Sequence, residues 1–119
     1  MFIKDLNDCE EIMAGDNSIL RELLHPDKAD ISIRYSLAHA IVKPGKTSRS
    51  HKLKTSEVYY ILEGEGMMSI DGETEKVHEG HAIYIRPDSL QFIQNTGEKD
   101  LIFLCIVDPA WKKEDEILF

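Results

Sequence analysis

A repeated strand pattern between about residue 31 and residue 107 constrains the fold more than any other feature of the sequence. Short runs of residues are either apolar throughout or alternate between apolar and polar, and Gly, Pro, Asn or Asp follows each run. Many short strands at this spacing predict an all-β sandwich or barrel. The runs occupy residues 31–42, 58–62, 67–70, 73–77, 82–85, 91–94 and 101–107. Asp71-Gly72, between two of these runs, predicts a two-residue hairpin turn, because both residues can adopt positive φ.

The first 30 residues are less regular. Apolar residues recur at helical spacing over residues 19–24, and Asn17 or Ser18 could cap the start of a helix. This spacing predicts one short helix that ends at His25-Pro26. An edge strand over the same residues is the alternative.

The tail of the chain, residues 108–119, mixes charged residues with Trp111 and the apolar end 117–119. An apolar end of this kind is expected to pack against a protein surface. We therefore expect a single domain, in which an N-terminal segment (1–30) packs on a barrel (31–107) that the tail follows.

The length and the charge limit the classes of partner. A chain of 119 residues is long enough to bury a core without disulfides, and both cysteines, Cys9 and Cys105, are expected to be reduced. A net charge of −8 argues against nucleic acid and against an anionic membrane, because both need a basic surface. The first residues lack the basic start and apolar core of a signal peptide, which predicts a cytoplasmic protein.

Two motifs, in which glycine and polar residues recur at defined spacings, indicate which all-β fold the chain adopts. In the first motif, Gly45 is followed by His51, Leu53, Glu57 and Gly64. This spacing resembles the first conserved motif of the cupin superfamily, in which glycine is followed by two histidines, a glutamate and a second glycine. One position departs from the family pattern, because Leu53 stands in place of the second histidine.

The second motif lies between Gly80 and Asn95, and both of these residues match the second cupin motif. Arg86 replaces the usual proline, and Gln91 stands where the family has its metal-binding histidine. The resemblance implies a small single-domain cupin with a double-stranded β-helix, which is a jelly-roll barrel. It also implies a homodimer, since small cupins commonly pair by sheet edges and exchange terminal segments.

The metal-ligand positions of the family fall on His51, Leu53, Glu57 and Gln91. Residues two apart on a strand point to the same face, so positions 51 and 53 should both enter the barrel. One imidazole, one carboxylate and one amide predict that a divalent ion (Zn, Mn, Fe, Co or Ni) at His51, Glu57 and Gln91 is weakly held or absent. The alternative is a hydrogen-bonded polar cluster without metal, in which Glu57 receives donors from Gln91 and His51 or stays protonated with a raised pKa.

Glu57 and Tyr59 are the candidate catalytic residues. Tyr59 and Ile61 share the face of Glu57 and should line the cavity, where the Tyr59 hydroxyl would orient a ligand or act as a weak acid. Tyr59 would otherwise be an ordinary core tyrosine.

Two functions of different classes follow. The first is a module that binds a small molecule in its barrel without turnover. The second is a metal-dependent cupin enzyme, similar to sugar-phosphate isomerases and epimerases or to dioxygenases, in which a metal acts as Lewis acid or Glu57 acts as general base. The fold alone does not choose between them.

Overall fold

The computed structural model describes residues 1–119 and shows a chain built almost entirely of strands. Its helical turns are two 3-10 helices, at Leu6–Asp8 and Lys113–Asp115. Neither of these short helical turns has the length or the hydropathy of a membrane-spanning helix. The strands are β1 (Ile12–Met13), β2 (Ile19–Leu24), β3 (Ser36–Val42), β4 (His51–Leu53), β5 (Ser56–Glu63), β6 (Glu65–Ile70), β7 (Glu73–His78), β8 (Ala82–Ile85), β9 (Gln91–Asn95), β10 (Leu101–Asp108) and β11 (Glu116–Leu118).

These strands form two antiparallel sheets that face each other as the walls of a barrel, which confirms the all-β expectation. The first sheet has the order β1-β2-β3-β10-β5-β8, and the second has the order β11-β4-β9-β6-β7. Alternation along each strand decides which side chains enter the barrel. On β5, for example, Glu57, Tyr59 and Ile61 are buried, whereas Val58 and Tyr60 point away from the interior.

The helix predicted over residues 19–24 is wrong; the segment is a strand, as the alternative held, but it is the second strand of its sheet and not the edge. This segment is β2, which pairs with β1 on one side and with β3 on the other. The pairing gives its backbone groups hydrogen-bond partners across the sheet, so tertiary context overrides the local helical spacing. Leu20 packs against the core, and Leu24 lies opposite Leu37 of β3.

Two turns explain why the sequence has glycine where it does. Asp71 and Gly72 join β6 to β7 with φ values of 50° and 84°, so the predicted two-residue hairpin turn is confirmed. Gly64 has a φ of 87°, and a Cβ there would lie 2.7 Å from the carbonyl oxygen of Asp100. This last glycine of the first motif therefore lets the β5–β6 turn approach β10 closely.

One end of the barrel is filled by a continuous apolar core. Its side chains come from both sheets, and Ile61, Ile93 and Leu101 are completely inaccessible to solvent. Around them pack the remaining members, Ala40, Val42, Tyr59, Met68, Val77, Ile85, Phe103 and Cys105.

The segment before β2 and the C-terminal tail meet at the other end of the barrel, where Gly15 lies beside Glu116 and Leu118. β11 pairs with β4 at the edge of the second sheet, but Ile117, Leu118 and Phe119 remain 47%, 36% and 58% exposed, so the expected packing of the apolar tail is incomplete. The backbone N–H of Arg49 donates to the carbonyl of Asp16, and its side chain donates to the carbonyl of Phe119 at 2.7 Å. The segment before β2 and the end of the tail thus both border the barrel opening.

Candidate functional site

The second end of the barrel contains a cavity of about 260 Å³. Its walls come from β2, β3, β4, β5 and β10, and the segment 12–18 covers part of its opening. Apolar side chains dominate the deeper wall, where Leu20, Phe103 and Val107 contact the empty space. The polar side chains that reach the cavity include His51, Glu57 and Tyr59, all predicted from the sequence.

A chain of hydrogen bonds runs along one side of this cavity. The Tyr59 hydroxyl donates to Oε1 of Gln91 at 3.1 Å, and Nε2 of Gln91 donates to Oε1 of Glu57 at 3.0 Å. Gln91 is 1% exposed and lies on β9, on the sheet opposite Glu57 and Tyr59. The two sheets therefore fix this polar chain between them.

The carboxyl group of Glu57 is neutral at physiological pH. Burial raises the pKa of Glu57 from 4.5 to about 8. The hydrogen bond from Gln91 opposes this shift, whereas the nearby carboxylates of Asp16 and Glu116 add to it. Oε1 accepts from Gln91, and the carboxyl group borders the cavity, where its second oxygen makes no hydrogen bond to the protein. The acidic proton of Glu57 is therefore available to a ligand in the cavity.

Burial also raises the pKa of Tyr59 well above its usual value, and the adjacent Glu57 contributes to that shift. Its hydroxyl stays protonated and keeps its donor role toward Gln91. Cys105, on the wall beside it, has a pKa raised by burial as well, so it remains an unreactive thiol.

His51 is only 2% exposed and comes from β4, directly opposite Gln91 in the ladder with β9. Its Nδ1 lies 2.9 Å from the carbonyl oxygen of Arg49. A carbonyl can only accept, so Nδ1 carries a proton, and in the neutral ring Nε2 is an acceptor. The ring therefore does not donate to Glu57, as the polar-cluster alternative expected of it. Instead, Nε2 has no partner in the chain and is free to accept from a ligand.

The sequence profile of the cupin domain family matches residues 38–107 of this chain. The chain is a cupin. An uncharacterized protein of Methanocaldococcus jannaschii is 47% identical over 105 residues, which are 87% of this chain and 83% of that protein. An oxalate-binding protein of Thermotoga maritima is 32% identical over 88 residues, which are 73% of this chain and 68% of that protein.

Solved structures have the same barrel. A predicted oxalate decarboxylase of Thermotoga maritima superposes with a TM-score of 0.78 at 25% identity, covering 91% of this chain and 99% of that chain. A cupin 2 conserved barrel domain protein of Salinispora arenicola gives a TM-score of 0.79 at 18% identity, covering 96% of this chain and 91% of that chain.

The side chains in this cupin barrel do not fit a divalent metal centre. His51 offers one imidazole nitrogen, Glu57 offers one carboxyl whose Oε1 already accepts from Gln91, and both ends of the Gln91 amide are hydrogen-bonded. Leu53, 3% exposed, supplies no donor at the remaining family position. No group of three or more His, Cys, Asp or Glu side chains is arranged to hold a metal ion anywhere in the chain. A firmly bound metal needs more deprotonated donors than this barrel presents.

The structure corrects one expectation about the cavity wall. Ile61 shares the inner face of β5 with Tyr59 but lies deeper, within the packed core, and does not border the cavity.

Residues at the cavity opening were missed by the sequence analysis. Asp16, Glu116 and Trp111 border the opening, together with Glu22, whose carboxylate lies 2.6 Å from Nζ of Lys28. They come from the two terminal segments, outside both motifs, and no local pattern marks them. Only the pairing of β11 with β4 and the course of the chain before β2 bring them together.

Proposed function

We propose that this cupin binds a small polar organic molecule, either uncharged or positively charged, in its barrel cavity. The observation that carries the proposal is a buried cavity on which a neutral carboxyl, a free imidazole nitrogen and a fixed tyrosine converge. A ligand site of this kind typically combines apolar walls with a few placed polar groups. A cavity of about 260 Å³ has room for roughly eight water molecules, at about 30 Å³ each, so the ligand is small.

Each polar group that borders the cavity would pair with a complementary group of the ligand. The protonated oxygen of Glu57 would donate to a carbonyl or hydroxyl oxygen, and Nε2 of His51 would accept from a hydroxyl or ammonium group. Tyr59 and Gln91 would hold Glu57 in position through the hydrogen-bond chain. Phe103 and Val107 would pack against the carbon skeleton of the ligand.

The charge at the opening supports the choice of ligand class. Asp16, Glu22 and Glu116 border the cavity. Lys28 is the only lysine or arginine that borders it. That lysine is paired with Glu22, so the opening has an excess of negative charge. This charge would repel a dianion such as oxalate, the ligand in the name of the Thermotoga relative, and would favour a cation or a neutral molecule.

Binding of matched probes tests this proposal. The full chain would be titrated with oxalate, glycerol and protonated ethanolamine, with thermal shift and amide chemical-shift changes at Tyr59 and Gln91 as readouts. We expect glycerol and ethanolamine to shift the cavity signals and oxalate to leave them unchanged. Glu57→Gln should weaken binding, whereas Glu63→Gln, on the exposed end of the same strand, should not. Saturable oxalate binding that Glu57→Gln abolishes would contradict the proposal.

The metal content of the protein tests whether His51, Glu57 and Gln91 hold a divalent ion. Elemental analysis after purification without chelator or metal affinity should give well under one Zn, Mn, Fe, Co or Ni per chain. Added metal should leave the thermal midpoint unchanged, and the double substitution Leu53→His, Gln91→His should create a site that shifts it upward. One metal per chain that Glu57→Gln removes would contradict the argument.

A second candidate function is general acid catalysis by Glu57, and the raised pKa favours it. A carboxyl with a pKa of about 8 holds a transferable proton at neutral pH, as an acid catalyst requires. An isomerase-like or epimerase-like reaction on a carbonyl-containing substrate would use this group. Turnover of a bound ligand that declines above pH 8 and vanishes in Glu57→Gln would identify it.

A further inference from the structure

Two carboxylates at the cavity opening have no counter-ion in the chain. Asp16 lies in the segment before β2, Glu116 begins β11, and both side chains are half-buried. Neither forms an ion pair with a lysine or an arginine, whereas Glu22, also at the opening, is paired with Lys28. Partly buried charges of one sign repel each other and reduce the stability of the fold. The opening is therefore an unfavourable arrangement until a cation enters it.

The same two carboxylates lie close to each other and to the inner part of the cavity. Gly15 precedes Asp16, and a Cβ at Gly15 would lie 3.1 Å from Oε1 of Glu116. Glycine at this position therefore leaves room for that oxygen. The pKa of Glu57 is raised by burial and, in addition, by the charges of Asp16 and Glu116, as expected for carboxylates that share one cavity.

Each of the two carboxylates is held in place through one oxygen and leaves the other oxygen unpartnered. Oδ1 of Asp16 accepts from the backbone N–H of Ser18 at 3.0 Å and from its hydroxyl at 2.6 Å. Oε2 of Glu116 accepts from Nε1 of Trp111 at 3.4 Å. Oδ2 of Asp16 and Oε1 of Glu116 accept no hydrogen bond from the chain. An ammonium group, which has several N–H donors, can bond to both free oxygens at once.

Trp111 borders the opening and is fixed there by three hydrogen bonds. Its backbone N–H donates to Oγ of Ser36 at 2.9 Å, and its carbonyl oxygen accepts from Nε2 of His25 at 2.8 Å. Together with the bond to Glu116, these contacts hold an indole ring at the opening. Indole attracts cations more strongly than the other aromatic side chains do, and its apolar surface suits the carbon atoms beside an ammonium group. This ring favours an organic ammonium group over an inorganic ion.

Two buried side chains in the same cavity also leave polar atoms without a partner. Glu57 is 6% exposed and His51 is 2% exposed. One carboxyl oxygen of Glu57 and Nε2 of His51 make no hydrogen bond to the protein, and both residues border the cavity that Asp16 and Glu116 also border. A ligand that satisfies both ends of this cavity carries an ammonium group and, further along its skeleton, a hydroxyl or carbonyl oxygen.

We propose that Asp16, Glu116 and Trp111 form a subsite for the ammonium group of a small amine that also carries a hydroxyl or carbonyl oxygen. The inference rests on the proposed function, because the remainder of this amine would occupy the barrel cavity beside Glu57 and His51. It narrows the ligand class, since a neutral polyol would satisfy only the inner groups. Carboxylic acids and phosphates would be repelled by the same two carboxylates.

Matched pairs of amino alcohols and diols test the subsite. Protonated amino alcohols with chains of two to four carbons, and diols of the same lengths, would be titrated into the full chain at pH 7. Amide chemical shifts at Gly15 report on the opening, and those at Gln91 report on the inner cavity. We expect at least one amino alcohol to bind about 10-fold more tightly than its diol, because its hydrogen bonds are to charged groups. Added salt should weaken the amino alcohol and leave the diol unchanged.

Conservative variants assign this preference to the two carboxylates. Asp16→Asn and Glu116→Gln retain an oxygen that can accept from Ser18 or Trp111, so the fold should survive, which circular dichroism melts would check. Each variant should remove most of the preference for the amino alcohol and leave diol binding unchanged. Glu75→Gln removes the same charge from β7, the outer strand of the second sheet, and is the matched control that should retain the preference.

The possible results distinguish a wrong subsite from a wrong cavity. Equal binding of every amino alcohol and its diol would overturn the ammonium subsite and leave the proposed function standing. A preference that Glu75→Gln reduces as much as Glu116→Gln does would have the same meaning. Calcium chloride that shifts the Gly15 amide where no amino alcohol does would assign the carboxylates to an inorganic cation and overturn the subsite. If neither amino alcohols nor diols bind, the subsite and the proposed function are both wrong.

Discussion

The two ends of this barrel are built from the same strands but have opposite interiors. At one end, side chains such as Ile61, Ile93 and Leu101 fill the space between the sheets completely. At the other end, His51, Glu57 and the side chains around them leave about 260 Å³ unfilled. Glu57 and Ile61 are only four positions apart on β5, yet Glu57 borders the cavity and Ile61 lies in the packed core.

The difference shows how one fold separates stability from binding. The packed end provides the dispersion contacts and buried apolar area that stabilise the barrel. The hollow end retains a buried carboxyl and a free imidazole nitrogen, which cost folding free energy unless a ligand satisfies them. Each end can be changed by a single substitution, and the expected effects differ in size and in kind.

The largest effect is expected from Ile61→Ala at the packed end. It should reduce the free energy of unfolding by about 2–5 kcal/mol, because it creates a new void among well-packed neighbours. Leu53→Ala is the matched change at the hollow end and should cost at least about 1 kcal/mol less, since Leu53 already borders empty space. Urea unfolding measures both. Equal costs would mean that the two interiors are packed alike.

A smaller effect is expected from pH, and it arises only at the hollow end. Between pH 4.5 and about 8 the folded chain keeps the Glu57 proton that the unfolded chain has lost, so raising the pH favours unfolding. The free energy of unfolding should fall by up to about 1.4 kcal/mol per pH unit in this window. Glu57→Gln should remove this slope, and Glu63→Gln should retain it.

Urea unfolding at pH 6.5, 7.25 and 8 isolates the Glu57 contribution. His39 has a pKa lowered by burial and by Arg21, so its titration lowers stability as the pH falls below about 7.5, equally in the wild type and in both glutamate variants, and cancels in their comparison. The buried Tyr59 and Cys105 have raised pKa values, so they matter only at more alkaline pH. A slope that is unchanged in Glu57→Gln would show that the carboxyl is ionised in the folded chain.

The smallest effect is expected from Tyr59→Phe. The ring would remain packed beside Phe103, at a centroid distance of 4.5 Å, but Oε1 of Gln91 would lose its donor. The free energy of unfolding should fall by about 1 kcal/mol, which is typical for one buried hydrogen bond. Tyr84→Phe, at a largely exposed tyrosine, should change nothing. Urea titration of both variants measures this difference. Equal free energies of unfolding for Tyr59→Phe and Tyr84→Phe would mean that the Tyr59 hydrogen bond does not stabilise the fold.

Much of the fold was predictable because strand alternation and turn residues are local signals. The pattern over residues 31–107 gave the all-β class, and Asp71-Gly72 gave a hairpin turn that the structure confirms. β2 was not predictable in the same way, because Ile19, Leu20 and the leucines after them satisfy both helical and strand spacing. Its pairing with β3 joins residues that are 13 to 22 positions apart in the chain.

The candidate site was predictable only in part, for a related reason. Alternation correctly placed Glu57, Tyr59 and Ile61 on one face, but it contains no information about depth along the barrel, so Ile61 was wrongly assigned to the cavity. Asp16 and Glu116 could not be found from motif spacing, because their position depends on how both terminal segments cross the opening.

Because the C-terminal tail crosses the barrel opening, residues added after it would lie close to the candidate site. Extra residues after Phe119 would begin beside Arg49, whose guanidinium holds the last carbonyl, and close to the strand that carries His51. A polyhistidine tag at that end would bring a high local concentration of imidazole to a barrel opening that is itself poor in metal ligands. Such a tagged protein could bind nickel or zinc at this opening through the tag, and its metal content would then describe the tag rather than the barrel.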